Sequence, residues 1–239
     1  MEIRWLGHSA FEIITDEGLD ILIDPFISNN PSCQIPVEEF NPDIILVTHG
    51  HSDHFGDAME ISNSNNVPIA AIHEISLFLS KQGINNIGVN VGGSFVYRGV
   101  KFTMLEARHS SALDILEEPL PAGNAASFLI TLEDGTKLFH AGDTGLFGDM
   151  KTIIGEIYKP DILLVPIGDK FTMGPFEAAL ATRWINSKVA IPMHYNTFPP
   201  IEQDPSIYAK FVSQLNPNID VVILNSGEYF EYNPENYQD

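Results

Sequence analysis

The chain has 239 residues, of which 44% are hydrophobic and 18% are charged. This composition is sufficient for a sizeable core and excludes a long disordered segment. The 12 basic and 32 acidic residues give a formal net charge of −20. Nucleic acid and anionic lipid are therefore disfavoured as partners, because an acidic surface repels polyanions.

The N-terminal region predicts an antiparallel meander of three strands, over residues 2–7, 10–14 and 20–24. The third run ends in Asp24, and a Pro, Asn and Ser-rich surface loop follows at residues 28–36. No basic or apolar leader precedes the first strand, and no run of about 18 apolar residues occurs anywhere. We therefore predict a cytoplasmic protein that does not cross a membrane.

A buried strand is predicted over residues 42–47, and a histidine-rich loop follows it directly. The loop carries His49, His51, Asp53 and His54 in the pattern His-x-His-x-Asp-His. By chance this pattern should arise in about one of two thousand chains of this composition. An irregular loop with this spacing can present two imidazoles to one metal ion, and a carboxylate with an imidazole to a second.

The remaining elements change from antiparallel strands to alternating strands and helices. Further strands are predicted at 68–72, 94–97, 100–107, 127–132, 136–140, 162–166, 189–193 and 220–224. Helices are predicted at 56–61, 73–82, 149–157, 175–186 and 204–214. This order predicts two sheets packed face to face with helices outside, and we interpret residues 1–239 as one domain.

Three polar residues end later strands, where further metal ligands are needed. His109, Asp143 and His194 each follow an apolar run. A loop with four ligands cannot complete two metal sites, since each ion needs at least one more protein ligand and a group shared between them. The sequence therefore predicts that these three residues converge on the first loop.

The order of these seven residues resembles the metallo-β-lactamase superfamily of dinuclear hydrolases. The segments 6–11, 140–145, 171–175 and 192–197 further resemble a branch of metal-dependent hydrolases that is similar to the ascorbate-6-phosphate lactonases. The resemblance covers nearly the whole chain. It implies an α/β (α+β) fold, a four-layer αββα sandwich of two mixed β-sheets flanked by helices.

An internal repeat is consistent with the approximate two-fold symmetry of that fold. The sequence Pro-Asp-Ile-Ile-Leu-Val at 42–47 recurs as Pro-Asp-Ile-Leu-Leu-Val at 160–165, and each copy runs into a loop with a turn and an acidic residue. We interpret the copies as equivalent strands of two similar halves. Coincidence between two short apolar segments is the alternative.

The resemblance also assigns roles to the seven residues. It implies that one metal ion is held by His49, His51 and His109, and the other by Asp53, His54 and His194. Asp143 would bridge both ions and, with Asp53, act in catalysis. The ligand set predicts two divalent ions, with Zn²⁺ favoured and Mn²⁺, Fe²⁺, Co²⁺ or Ni²⁺ also accepted. Two ions about 3.5 to 4 Å apart can hold a shared hydroxide at neutral pH.

Residues near the ligands are candidates for supporting roles. His8 is a candidate for contact with substrate or with a ligand, or else a plain turn residue. Asp24 is a candidate to accept the distal N–H of a ligand histidine. Tyr195 and Asn196, next to His194, are candidates for binding an anionic group or a developing oxyanion.

The predicted function is hydrolysis of an ester, lactone or phosphoester bond in a small molecule. A phosphodiesterase or nuclease of the same fold is one alternative, and a di-iron redox protein or a catalytically silent binding protein is another. Lys170 stands where the family pattern favours Asn or His, so the contribution of its loop is left open. The loops at 28–36 and 110–126 are expected to shape the pocket, and a homo-oligomer is possible.

Overall fold

The structure is a computed structural model that describes residues 1–237, so the last two residues of the predicted 1–239 domain lie outside it. Six strands form in the first half: β1 (Glu2–Trp5), β2 (Phe11–Ile14), β3 (Asp20–Ile23), β4 (Ile44–Leu46), β5 (Ile69–Ile72) and β6 (Asn86–Val89). The remaining strands are β7 (Ser94–Tyr97), β8 (Val100–Glu106), β9 (Ala112–Leu113), β10 (Leu120–Pro121), β11 (Ala126–Thr131), β12 (Lys137–His140), β13 (Ile162–Pro166), β14 (Val189–Met193), β15 (Asp220–Val221) and β16 (Tyr229–Glu231).

Helices connect the parallel strands. The α-helices are α1 (Ser52–Phe55), α2 (Ala58–Asn65), α3 (His73–Lys81), α4 (Pro175–Ile185) and α5 (Pro205–Leu215). A π-helix spans Met150–Tyr158, and short 3₁₀ helices span Val37–Glu39, Pro199–Ile201 and Pro234–Tyr237. Within residues 1–237, no helix combines the length and apolarity needed to span a bilayer.

Fourteen of the strands form two mixed sheets. The first has the order β16-β1-β2-β3-β4-β5-β6, and the second has the order β15-β14-β13-β12-β11-β8-β7. Strands β1 to β3 are antiparallel and β3 to β6 are parallel, while β8, β11 and β12 are antiparallel and β12 to β15 are parallel. Each sheet thus has three antiparallel strands followed by three parallel ones. An extra edge strand lies beside the first of them, β16 beside β1 and β7 beside β8.

The internal repeat falls on equivalent strands of the two sheets, β4 and β13. The Asp43 carboxylate accepts a hydrogen bond from the backbone N–H of Asp20 at 3.1 Å, and Asp161 accepts one from the N–H of Lys137 at 2.9 Å. The backbone N–H of Asp43 donates in turn to the carbonyl oxygen of Asp20, and that of Asp161 donates to the carbonyl oxygen of Lys137, at 2.8 Å in both halves. The repeated aspartate therefore fixes the start of each parallel strand against its neighbour.

The central parallel strands are buried on both faces. Every residue of β4, β5, β13 and β14 is buried, as expected when one face packs on the other sheet and the other face on helices. Helices α2 and α3 contact the first sheet, and α4 contacts the second. Apolar side chains of both sheets form one hydrophobic cluster.

The predicted elements differ from the structure mainly at edges and at the histidine loop. The loop is not irregular throughout, since Ser52–Phe55 forms one helical turn. Gly56, with φ 43°, ends this helical turn, so α2 starts two residues later than predicted. The sequence pattern does not predict the edge strands β6 and β16. Strand β6 contains Asn and Gly, which are poor strand formers. The strand predicted over 220–224 is only two residues long.

Candidate metal centre

Segments that follow four strands, β4 in the first sheet and β8, β12 and β14 in the second, bring the predicted ligands to one place. His49 lies three residues beyond β4, and His194 directly follows β14. His109 and Asp143 each lie three residues beyond the end of β8 and β12. Residues from both sheets therefore meet at one rim of the sandwich, and the predicted convergence is present in the structure.

The histidines and carboxylates form two clusters, and a third group of His49, His54 and Asp143 joins them. Nitrogen atoms of His49, His51 and His109 lie within 4.8 Å of one another, and His49 Nε2 lies 2.9 Å from His51 Nδ1. The second cluster has the same spread of ligand atoms and contains Asp53, His54, His194 and His8. The structure thus groups the six residues in the two sets of three that the resemblance implied, and adds His8 to the second set.

Asp143 lies between the clusters. Its Oδ1 is 3.3 Å from Nε2 of His54, and its Oδ2 is 3.0 Å from Nε2 of His194 and 3.5 Å from Nε2 of His109. The side chain is only 3% exposed. One carboxylate therefore touches members of both clusters, as a bridging ligand must.

Unpaired buried atoms test whether this centre fits a cation. His54 Nε2 and Asp143 Oδ1 are buried and have no hydrogen-bond partner among residues 1–237. A buried polar atom without a partner costs about 1 to 3 kcal/mol. Imidazole nitrogens and a carboxylate oxygen facing one another are a donor set suited to Zn²⁺ and similar divalent ions. The residues therefore fit a metal ion at this position.

Asp24 fixes the orientation of His54. Its Oδ1 accepts the backbone N–H of Thr48 at 2.8 Å, and its Oδ2 accepts the Thr48 hydroxyl at 2.7 Å and Nδ1–H of His54 at 2.8 Å. Because Nδ1–H of His54 donates to Asp24, Nε2 is the ring nitrogen that faces the cluster and would bind a metal ion in place of a proton. The predicted contact between Asp24 and a ligand histidine is thus present.

The same threonine orients His49. The Thr48 hydroxyl donates to Asp24, so its oxygen accepts from Nδ1–H of His49, 3.0 Å away. Nε2 of His49 is then the free acceptor. Burial is the main cause that lowers the pKa of His49 well below its usual value, so the imidazole is neutral at physiological pH. A neutral imidazole is the form that binds a metal ion.

His8 is fully buried under the second cluster. Its Nδ1 lies 2.9 Å from the Thr197 hydroxyl, and its Nε2 lies 3.2 Å from Oδ2 of Asp53. Burial, followed by the charge of His194, lowers the pKa of His8 to about 4. Burial opposes the charge on Asp53, but the hydrogen bond from His8 and the charge of His54 hold the pKa of Asp53 well below its usual range.

The backbone is left-handed at three residues of the centre. His8, Asp24 and His194 have φ values of 54°, 45° and 55°. This region is uncommon for residues other than glycine, and such conformations cluster at functional sites. Gly142, with φ 60°, lets the chain pass close to the start of β11, since a Cβ there would lie 2.6 Å from the Ala126 carbonyl oxygen.

Tyr195 and Asn196 do not reach the cavity, so their placement gives no support to substrate binding. Tyr195 is buried and stacks on Trp5 with ring centroids 5.3 Å apart. Asn196 is exposed, and its Oδ1 accepts the backbone N–H of Gln203 at 2.8 Å. Both side chains hold the loop after β14 rather than face the clusters.

A cavity of about 740 Å³ opens over the two clusters. The predicted ligands that line it are His51, Asp53, His109, Asp143 and His194. Its other walls come from residues that the sequence did not single out as site residues: Phe26, Asn29, Ser52, Ser110, Asp114, Phe171 and Phe198. Asn29, Ser110 and Asp114 lie in the two loops that were expected to shape the pocket. The aromatic residues carried no usable signal, since an isolated Phe in a sequence is most often a core residue.

Comparison with known proteins agrees with the geometry of the centre. The family model described as "Beta-lactamase superfamily domain" matches residues 2–194. A UPF0173 metal-dependent hydrolase of Methanobrevibacter smithii is 92% identical over 239 residues, which is all of both chains. The chain belongs to the metallo-β-lactamase superfamily, in its family of metal-dependent hydrolases.

Other members of the superfamily show how far the likeness extends. A relative of the same description from Methanosphaera stadtmanae is 59% identical over 213 residues, covering 89% of this chain and 91% of its own. The solved structure of Igni18, a metallo hydrolase of Ignicoccus hospitalis, superposes with a TM-score of 0.87 at 37% identity, over 97% of this chain and 99% of that one. The predicted superfamily and αββα fold class are confirmed.

Proposed function

We propose that this metal-dependent hydrolase cleaves an ester or lactone bond of a small molecule at a centre of two divalent metal ions. The supporting observation is the position of Asp143 between two sets of three ligand candidates. His49, His51 and His109 hold one ion, and Asp53, His54 and His194 hold the other. Zn²⁺ is the favoured ion, since the set contains imidazole and carboxylate groups without Cys.

The chemistry depends on the metal ions and on the residues that surround them. When bound, two divalent ions lower the pKa of water and polarise the substrate's electrophilic oxygen. Asp53 lines the cavity and its Oδ2 is held by His8, so its other oxygen would face the second ion as a ligand and would help to orient the attacking water beside it. His8 therefore acts as a positioning residue for Asp53.

Metal content and a substrate screen test the proposal together. We expect about two equivalents of metal per chain by mass spectrometry, and turnover of neutral lactones or aryl esters by the metal-loaded protein. His51→Ala serves as the blank and should lose turnover together with metal. Full activity in His51→Ala, or about one equivalent of metal or less in a fully active wild-type sample, would contradict a two-metal centre.

The phosphodiesterase alternative is tested in the same screen with bis(4-nitrophenyl) phosphate and RNA. The net charge of −20 argues against a polyanionic substrate, because long-range repulsion slows its association. Turnover of either phosphodiester above that of the lactones and esters would reverse the assignment. Two redox-active irons in the metal analysis would instead favour the di-iron alternative.

A further inference from the structure

One wall of the cavity is aromatic. Phe26 follows β3, Phe171 follows β13 and Phe198 follows β14, and all three line the cavity. The rings of Phe26 and Phe198 lie 6.2 Å apart, and the buried ring of His8 packs against both, at 5.7 Å and 5.6 Å. Two of the three rings are thus fixed beside the metal centre by the same histidine that holds Asp53.

The charged residues of the cavity, apart from the histidines, are all acidic. They are Asp53, Asp114 and Asp143, and within residues 1–237 the lining includes neither Lys nor Arg. Asp114 is not a member of either ligand cluster, and it accepts the backbone N–H of Ser52 at 2.6 Å. A substrate group that reaches past the metal centre therefore meets aromatic rings and a carboxylate.

The two cations adjacent in sequence to the site are not in the lining. Arg108 pairs with Glu106 at 3.1 Å and lies over the ring of Phe147. Lys170 is exposed, with Nζ 5.6 Å from the centroid of Phe171. Binding of phosphate or carboxylate groups in proteins commonly relies on Arg or Lys donors aimed at the anion. Neither side chain is arranged in that way.

We propose that this cavity selects uncharged substrates with an aromatic or branched apolar group, and disfavours substrates that carry a phosphate or other anion away from the scissile bond. The inference rests on the proposed hydrolase function and names its substrate class. A volume of about 740 Å³ lies in the range of about 300 to 1,000 Å³ that is usual for small-molecule sites. The apolar group packs on Phe26, Phe171 and Phe198 while the scissile bond faces the metal centre.

A pair of esters that differ only in one remote charge tests the proposal. The probes are 4-nitrophenyl 3-phenylpropanoate and the same ester with a sulfonate at the 4-position of the phenyl ring, since a sulfonate is a weak metal ligand. We expect kcat/KM of the metal-loaded protein to be at least about tenfold higher for the neutral ester. Equal values, or a preference for the sulfonated ester, would overturn the inference and leave the hydrolase function intact.

The aromatic wall is tested by Phe198→Ala, with Phe176→Ala as the matched control. Phe176 is 47% exposed on α4, contacts Phe211 and does not line the cavity. Phe198→Ala should raise KM for the neutral ester about tenfold with unchanged metal content, because burial of the substrate's ring against Phe198 is lost. Phe176→Ala should leave KM unchanged, and an equal effect in both variants would count against the wall.

A further variant tests whether the lack of Lys and Arg in the cavity lining disfavours anionic substrates. Asn29 is exposed and lines the cavity, so Asn29→Lys places a positive charge there without removing a buried group. The variant should gain about fivefold or more in kcat/KM for the sulfonated ester, and the gain should shrink at 1 M salt because the added attraction is screened. No gain for the sulfonated ester would contradict the charge argument.

Binding of the corresponding amides, which are far less reactive than the esters, separates failure of this inference from failure of the proposed function. The probes are the 4-nitroanilides of 3-phenylpropanoic acid and of its 4-sulfonated form, titrated into the metal-loaded protein by calorimetry. Tighter binding of the neutral amide without hydrolysis of either ester would retain the cavity inference and overturn the ester hydrolase. Failure of the neutral amide to bind, or tighter binding of the sulfonated amide, would overturn the inference itself.

Discussion

The loop after β4 and the loop after β13 occupy equivalent positions in the two halves, but they contribute differently to the candidate metal centre. Both follow a strand whose leading aspartate pairs in the same way with the preceding strand. The first loop carries four ligand candidates. The second contains Gly168, where a Cβ would lie 2.4 Å from the carbonyl oxygen of His194 and 3.0 Å from its Nδ1.

The comparison shows that the repeated strand is a scaffold and that the chemistry lies in the loops. One loop supplies ligand candidates, while the other leaves room for His194, a ligand candidate that follows the neighbouring strand β14. The equivalent strands β3 and β12 differ in a similar way. Beyond β3, Asp24 contacts Nδ1 of His54, whereas beyond β12, Asp143 lies among the ligand candidates themselves.

The largest expected effect on metal content and activity follows from removing the charge of Asp143, three residues beyond the end of β12. Asp143→Asn should abolish binding of at least one metal ion and lower kcat by more than about 100-fold, which exceeds the loss typical of a residue behind a ligand. Metal content and ester turnover measure both effects. Lys170→Ala, in the loop after β13, is the control and should keep its metal.

Asp24→Asn should have a smaller effect on the same measurements. The amide oxygen can still accept the backbone N–H of Thr48, but an NH2 group then replaces Oδ2, the oxygen that accepts both the Thr48 hydroxyl and Nδ1–H of His54. We expect metal affinity to fall about 10- to 100-fold while folding is retained. If Asp24→Asn bound metal as tightly as wild type, Asp24 would have no role in orienting His54.

Much of this arrangement could be predicted from the sequence, and the part that could not has a physical reason. The His-x-His-x-Asp-His spacing and the strand-end positions of His109, Asp143 and His194 were sufficient to predict the two clusters. The pairing of His8 with Asp53 and Thr197 joins residues 45 and 189 positions apart, so no local pattern indicates it. The three phenylalanines of the cavity reach it from loops whose course depends on tertiary packing.

The repeated aspartates should contribute equally to stability. Asp43→Ala and Asp161→Ala each remove a hydrogen bond to the N–H that opens the neighbouring strand, at a cost of about 1 kcal/mol. Urea unfolding at pH 7 should give similar losses, additive in the double variant because the sites are in different sheets. A loss in only one variant would show that the two halves differ in more than their loops.

The smallest effect concerns Asp20, the partner of Asp43. Burial, followed by the charges of Glu12 and Asp43, raises the pKa of Asp20 from 3.8 to about 7. Between these two pH values the folded state binds more protons at Asp20 than the unfolded state does, so this contribution to stability falls as pH rises and levels off above about 7. This decline of stability with rising pH is not expected at Lys137, which occupies the equivalent position in the other half.

Asp20→Asn should therefore melt higher than wild type at pH 8 and at the same temperature at pH 4. We expect an increase of about 2 to 4 °C at pH 8, since solvent screening at this partly exposed side chain limits the gain to about 1 kcal/mol. Thermal unfolding at several pH values measures it. A constant difference across the pH range would mean that Asp20 does not titrate in this window.

The left-handed backbone at His8, Asp24 and His194 bears on attempts to transplant this centre into another protein. Grafting the seven side chains onto the strand ends of an unrelated sandwich would reproduce the composition but not the directions in which the imidazoles point. A recipient scaffold would also need main-chain torsions of the rarer hand at matching positions. A designer should therefore copy the peptide path first and the side chains second.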